Sequence, residues 1–430
     1  MNSNGGPVDL SAEAFWRLSD SERDVLFARL RRERRVSWQR PLENPVMAGE
    51  NQRGYWAVVR HADVVAVTRD PAAFSSAAEH GGVLMETLSP AVVRATQSII
   101  AMDAPQHTRL RRLVSSAFTA RRMAQMDESI RQAARDIVAS LTGRAFAGPA
   151  RVEFVGDVAE RLPIWTICEI IGLPAHERDR ALHLSNVMAG CRDTAYHGYP
   201  NPVEALRDSL IAFSAILFEL IDERRHYPDD DLTSALIEAE VDGHRLSDSE
   251  VQAFLLLLFI AGNETTRHAI SHGMLALSRF PDQRRLLEAD LPGRISAAVE
   301  EILRWSTPIM TFRRTATRDL RLGGSFINRG DAVVMFYSSA NRDESVFPDP
   351  WRFDITRAPQ SHIAFGGGGP HFCLGAHLAR AELRHIFTET LRALPGLTVG
   401  KPRLVAGNFV NAIGRLPGTL LPTPTPAVVP

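Results

Sequence analysis

Phe365-Gly366-Gly367-Gly368-Gly369-Pro370-His371-Phe372-Cys373-Leu374-Gly375 carries a cysteine behind four successive glycines and ahead of a helical pattern. Glycines let a backbone approach a bulky partner closely, and packing alone does not require four in a row. After the cysteine, Leu374, Leu378 and Ala381 fall at i, i+4 and i+7, one face of a helix. A thiol at such a helix start is biased toward thiolate. Gly375 leaves the first turn clear for a flat group. A lone cysteine is more often a small buried hydrophobe, and here the glycines tip the balance. Zinc does not fit, because neither Cys168 nor Cys191 stands at ligand spacing from Cys373, and there is no C-x-x-C-H.

The segment resembles the cysteine loop of the cytochrome P450 family, Phe-Gly-x-Gly-x-His/Arg-x-Cys-x-Gly. Gly369, His371, Cys373 and Gly375 match position for position, whereas Phe365 lies one residue further from the cysteine, as if one glycine had been inserted. The resemblance implies that Cys373 is the axial metal ligand of haem b, with Phe365, Gly367 and Gly375 beside the cofactor. The inserted glycine leaves the packing of Phe365 against the sulfur open.

A second informative stretch lies upstream. Ser247 and Glu250 form a capping box ahead of an apolar run from Ala253 to Gly262, about half of what a membrane span needs, so a buried core helix is expected. The run gives way to Ala261-Gly262-Asn263-Glu264-Thr265-Thr266. An acid and an alcohol in a core need partners or a task. Small residues admit something bulky, and a threonine hydroxyl can bond back into the helix and open a groove. A polar patch at a helix contact would also explain the string taken by itself. The resemblance implies that Glu264 and Thr265 are the family's acid-alcohol pair, which delivers protons during oxygen activation, and that Ala261 lies over the haem. Family members that use peroxide lack the pair, so oxygen is the expected co-substrate.

Two further groups gain meaning from the same resemblance. Glu301 and Arg304 sit at i, i+3 on the helix of Ile295, Val299, Ile302 and Leu303; with Arg352 of Phe347-Pro-Asp-Pro-Trp-Arg352-Phe they match the family's structural clamp. Carboxylates of haem need cationic partners, best supplied by arginine. His107 and Arg111, on a helix expected to start from a capping box of Asp103 and Gln106, match the family's His-x-x-x-Arg. Arg314 and His371 complete the implied propionate set. Arg109, Arg112, Arg121, Arg122, Arg380 and Arg384 suggest a basic face for an acidic ferredoxin, with scattered solvated arginines as the other reading.

Composition is consistent with this. The chain has 430 residues, 45% hydrophobic and 23% charged, with net charge -1, which favours a large buried core and disfavours nucleic acid or an anionic membrane as partner. Three cysteines exclude a disulfide framework, and MNSNGGPVDLSAEAFW reads as neither signal peptide nor anchor, so a reducing, cytoplasmic setting is expected. The fold expected is mainly α with minor β sheets, the cytochrome P450 fold, in one domain over 1–430, with flexible tails at about 1–8 and 420–430. Gly54 to Val59 and Leu320 to Phe336 carry the sheet signals, the latter broken at Gly323-Gly324 and Asn328-Arg329-Gly330-Asp331.

The resemblance implies a monomeric monooxygenase that hydroxylates an apolar small molecule, with electrons from NAD(P)H through a ferredoxin and its reductase. AGNETT, FRRTAT and GNFVNAIGRLP resemble the branch acting on sterols and branched lipids, and that branch is similar to tailoring oxidases of natural-product pathways. The pocket is expected to draw on Ser75 to Ala101, Val187 to Leu210, the helix near Ala261, Ile309 to Phe312 and the turn at Val410. Ile309 and Val410 are the named substrate contacts. A non-catalytic haem sensor would not need Glu264 and Thr265, and a hydrolase using Cys373 and His371 would be colourless.

Overall fold

The computed structural model describes residues 7–43, 52–86, 98–117, 120–142, 150–190, 198–241, 243–358 and 361–421. Its principal helices are α1 (Asp20–Glu33), α2 (His61–Arg69), α3 (Gln106–Ala117), α4 (Ala120–Thr142), α5 (Arg161–Ile171), α6 (Arg178–Ala189), α7 (Pro202–His226), α8 (Asp248–Arg279), α9 (Leu291–Ser306) and α10 (Ala376–Ala393). Strands β1 (Val36–Gln39), β2 (Tyr55–Val58), β3 (Phe74–Ser75), β4 (Thr311–Ala316) and β5 (Ala332–Phe336) form one sheet in the order β1-β2-β5-β4-β3. β5 runs parallel to β2, with Val333 opposite Trp56, and antiparallel to β4, with Val333 opposite Arg314. That register fixes Arg314 on a central strand.

α8 organises the molecule. The Ser247 side chain accepts from the Glu250 N–H while the Glu250 carboxylate accepts from the Ser247 N–H, the expected box, and the helix then runs 32 residues. Its first half buries Phe254, Leu255 and Phe259 against Ile167 of α5 and Phe213 and Leu217 of α7. Its second half buries Ile270, Met274 and Leu277 against Ile302 of α9 and Phe387 of α10. Gly273 makes that closeness possible, since a Cβ there would lie 2.6 Å from Phe387 and 2.9 Å from Ile302. Each fully buried Leu or Phe in these clusters contributes roughly 2–3 kcal/mol, so α8 is pinned along its length.

The broken strand signal after Leu320 is a hairpin, Leu320–Leu322 pairing with Ser325–Ile327 across Gly323 and Gly324, whose φ values of 58° and 90° suit a two-residue turn. Two expectations are corrected. Asp103 does not cap α3 with its side chain; its carboxylate accepts from Ser75 Oγ and the Ser76 N–H and so ties β3 to the start of α3. The chain is also still packed at residue 420, because Leu420 ends the strand Pro417–Leu420, which lies between Leu397–Val399 and Ala150–Glu153 and leaves Leu420 1% exposed. Cys191, the side chains of Arg121 and Arg122, and the ends 1–6 and 422–430 lie outside the described residues. Among the described residues no helix is long and apolar enough to cross a membrane.

Candidate active site

Between α8 and α10 lies a cavity of about 550 Å³. Its floor is the glycine loop. Gly366, Gly367, Gly368 and Gly369 have φ of 101°, 65°, 98° and 80°, a left-handed run that only glycine sustains without strain. The loop presses on the end of α2, where a Cβ on Gly369 would stand 2.2 Å from the Thr68 carbonyl oxygen. The Cys373 N–H donates to the Phe365 carbonyl at 3.0 Å and closes the loop. The inserted glycine is absorbed in this left-handed run. Phe365 still reaches the cavity wall, with the Arg380 guanidinium 4.5 Å from its ring centroid and the Phe372 ring at 6.3 Å. Gly366 and Gly368 line the cavity, whereas Gly367 turns toward Ile363 and Thr68, so Gly367 is corrected from the implied cofactor contacts.

Cys373 opens into the cavity three residues before α10. Burial pushes its thiol up, while the Gly375 N–H and the Arg111 and Arg380 guanidiniums draw it back toward thiolate. A Cβ on Gly375 would meet nothing within 4 Å, so the space over the first turn of α10 is clear.

The facing wall is α8. Ala261, Gly262, Glu264, Thr265 and Thr266 line the cavity there, and the Thr265 hydroxyl donates back to the Ala261 carbonyl at 2.7 Å. Glu264 is buried and accepts from Arg267 Nη2, with Ser185 Oγ at 3.3 Å and His268 Nε2 at 3.4 Å. The Ile413 N–H donates to His268 Nδ1, which assigns the ring proton to Nε2 and makes the histidine a donor to Glu264. Burial alone would raise the Glu264 carboxyl; Arg267, His268 and Ser185 outweigh it and hold it below the usual carboxylate range. Burial, with Arg267 beside it, pushes His268 down to about 4. Arg267 and His268 were readable in principle, since they follow Glu264 at i+3 and i+4.

At one edge of the cavity His107, Arg111, Arg314 and His371 converge, the two imidazoles 4.3 Å apart between centroids. Arg111 donates to the Phe372 carbonyl and Arg314 to that of Arg313; among the described residues neither pairs with a carboxylate. His107 Nε2 is buried with no partner among the described residues. Burial, then Arg314, His107 and Arg111, push His371 down to about 3, and burial lowers Arg111 and Arg314 as well. A buried and a half-buried guanidinium with no carboxylate partner among the described residues are costly by themselves and are relieved by an anionic partner. Haem supplies one in its two carboxylates, so these residues, the open Gly375 and the thiol fit that group.

The clamp differs from expectation in one member. Arg304 Nε and Nη2 donate to Glu301 at 2.8 and 2.7 Å, both side chains buried. The second arginine is Arg357, whose Nε reaches Glu301 at 3.2 Å and whose other nitrogens hold the carbonyls of Pro348, Asp349 and Arg352. Gathering that turn points Arg352 outward, 62% exposed and 3.7 Å from Asp354. Ile309 and Val410 form an isolated β-bridge on the cavity wall, joined there by Met85, Leu210, Leu257 and Phe312. Of the expected basic face, Arg380 is paired with Glu300 and Arg384 with Asp127, while Arg109 and Arg112 are exposed.

A family model described as Cytochrome P450 matches residues 203–291 and 294–395. The methyl-branched lipid omega-hydroxylase of Mycobacterium bovis is 41% identical over 96% of this chain and 94% of that protein. The steroid C26-monooxygenase of Mycolicibacterium smegmatis is 38% identical over 85% of this chain and 83% of that protein. Among solved structures, a Mycobacterium marinum cytochrome P450 in complex with pseudoionone superposes with a TM-score of 0.91 at 46% identity, covering 97% of this chain and 99% of that one. The chain belongs to the cytochrome P450 family. It is a haem-thiolate, oxygen-dependent monooxygenase acting on a small molecule with a redox partner.

Proposed function

We propose that the protein hydroxylates a methyl-bearing chain end of a branched lipid or sterol, with Cys373 as axial ligand of haem b. The observation that carries the reading is a single cavity with the Cys373 thiol on one wall, the Thr265 hydroxyl on the other, and Ile309, Val410, Leu210, Leu257 and Phe312 around it. An elongated apolar molecule held by shape suits that lining. The names of the two relatives, a branched-lipid omega-hydroxylase and a steroid C26-monooxygenase, support a terminal methyl as the target.

When bound, haem supplies oxygen activation and C–H oxidation. His107, Arg111, Arg314 and His371 would hold its carboxylates, and Ala261 and Gly375 would give it room on its two faces. The Gly375 N–H limits charge on the Cys373 sulfur. Thr265 holds a proton donor at the cavity wall, and Glu264, a carboxylate at rest beside it, takes up protons from water and passes them to that hydroxyl. The apolar wall excludes water elsewhere. Electrons are proposed to come from NAD(P)H through a ferredoxin that approaches the side of Arg109 and Arg112.

Titration of the ferric protein with isoheptadecanoic acid and with cholesterol tests the substrate class. Either is expected to drive a low- to high-spin shift and, with ferredoxin and reductase, to give a product hydroxylated at a terminal methyl. Oxidation inside the chain, or no shift with either, contradicts the proposal.

A further inference from the structure

The polar cluster behind Glu264 does not stop at Arg267. The Arg267 guanidinium lies between two carboxylates, with Nη2 on Glu264 of its own helix and Nη1 3.5 Å from Glu160, the residue just before α5. Asn186 of α6 accepts from the same Nη1. Glu264 is 2% exposed and lines the cavity, whereas Glu160 is 18% exposed. The inner acid thus shares one cation with an acid near the surface. Asn263 Oδ1, fully buried beside Glu264, has no partner among the described residues, which marks a place for an ordered water in the same cluster.

A carboxylate that serves the cavity must at times turn away from Arg267. Removing one partner from a buried ion pair is strongly unfavourable, because the remaining charge is left uncompensated. A second carboxylate within reach of the same guanidinium lowers that cost.

We propose that Glu160 is a positioning residue for the oxygenase reaction: it holds Arg267 while Glu264 turns toward Thr265, and so frees the inner carboxylate to move protons. The inference rests on the reading of Glu264 as the proton-moving acid. The charged groups facing Glu160 are Arg161 beside it, Arg267 and Glu264 from α8, and Glu153 from the strand Ala150–Glu153. Burial outweighs the two arginines and, with the two acids, raises Glu160 above the usual carboxylate range, while Glu264 is held below it. On acidification Glu160 is therefore neutralised first, and Arg267 is left to Glu264 alone. Proton delivery falls on the acid side before Glu264 itself titrates.

The test is turnover of isoheptadecanoic acid by the holoenzyme with ferredoxin and reductase, counting product and peroxide per nicotinamide from mildly acidic to neutral pH. Glu160→Gln is expected to lower product per nicotinamide about fivefold at neutral pH, to raise peroxide in step, and to lose the acid-side fall. Glu160→Asp, which keeps the charge, is expected to keep that fall and most of the coupling, and serves alone if the glutamine variant does not fold. Glu160→Gln with wild-type coupling and an intact acid-side fall, beside an uncoupled Glu264→Gln, overturns the role of Glu160. So does a Glu160→Asp enzyme that is uncoupled at neutral pH or has lost the acid-side fall. A Glu264→Gln enzyme as well coupled as the wild type overturns the reading of Glu264 instead.

Discussion

Two side chains face each other across the cavity, and each has a distinct expected loss. Cys373→Ser removes the only thiol among the residues lining the cavity, while Ser is nearly isosteric and keeps the N–H to Phe365. The variant is expected to fold with an unchanged melting temperature in the haem-free form and to lose the thiolate signature of the ferrous carbon monoxide spectrum. Thr265→Ala leaves the thiol untouched and removes a hydroxyl whose partner is the Ala261 carbonyl, a helical group already served by the backbone ladder. Its ferrous carbon monoxide spectrum is expected to match the wild type while product per nicotinamide falls about tenfold or more and peroxide rises. Unchanged coupling would remove Thr265 from proton delivery.

At the scale of elements, the clamp gives the sharpest contrast. Arg357 spans Glu301 and three carbonyls of the turn before it, so Arg357→Ala is expected to lower stability by about 2–4 kcal/mol, read by thermal or urea unfolding. Arg352→Ala, at a mostly exposed side chain, is expected to change it by less than about 0.5 kcal/mol; the reverse order would restore the arginine expected from sequence. The Ser247 box, the helix of Ile295 to Leu303, and Glu301 with Arg304 were legible because each is settled within one or two helical turns. The identity of the second arginine is settled by a turn in which Asp349 takes φ of 48°, and nothing at i+3 or i+4 signals it. Asp103 misled for the same reason: a local partner, Gln106, was visible, and the actual ones, Ser75 and Ser76, lie 28 and 27 residues away. The strand ending at Leu420 was hidden because its partners are Leu397 and Ala150.

Over the whole molecule, motifs distant in sequence meet because α8 runs through both helical cores and brings Glu264 and Thr265 opposite Cys373. The motif order, and with it the fold class, was readable, and so in principle were Arg267 and His268 beside Glu264; the Ser185 contact that completes its burial was not, since Ser185 comes from another helix. That burial has a pH signature. His268 has its proton affinity depressed from 6.5 to about 4, so the folded state prefers the neutral ring and the unfolded chain binds the proton more readily. The stability it provides is complete above about 6.5 and is lost as pH falls toward about 4, on the order of 3 kcal/mol. His268→Gln, which can still donate to Glu264, is expected to flatten that part of the unfolding curve, and an unchanged slope would place the acid sensitivity elsewhere. The spectrum of the dithionite-reduced protein under carbon monoxide bears most directly on the assignment of Cys373. A strongly red-shifted Soret band, absent in Cys373→Ser, is the expected result, and a band at the position of nitrogen-ligated haem, or the same red shift in Cys373→Ser, would contradict it.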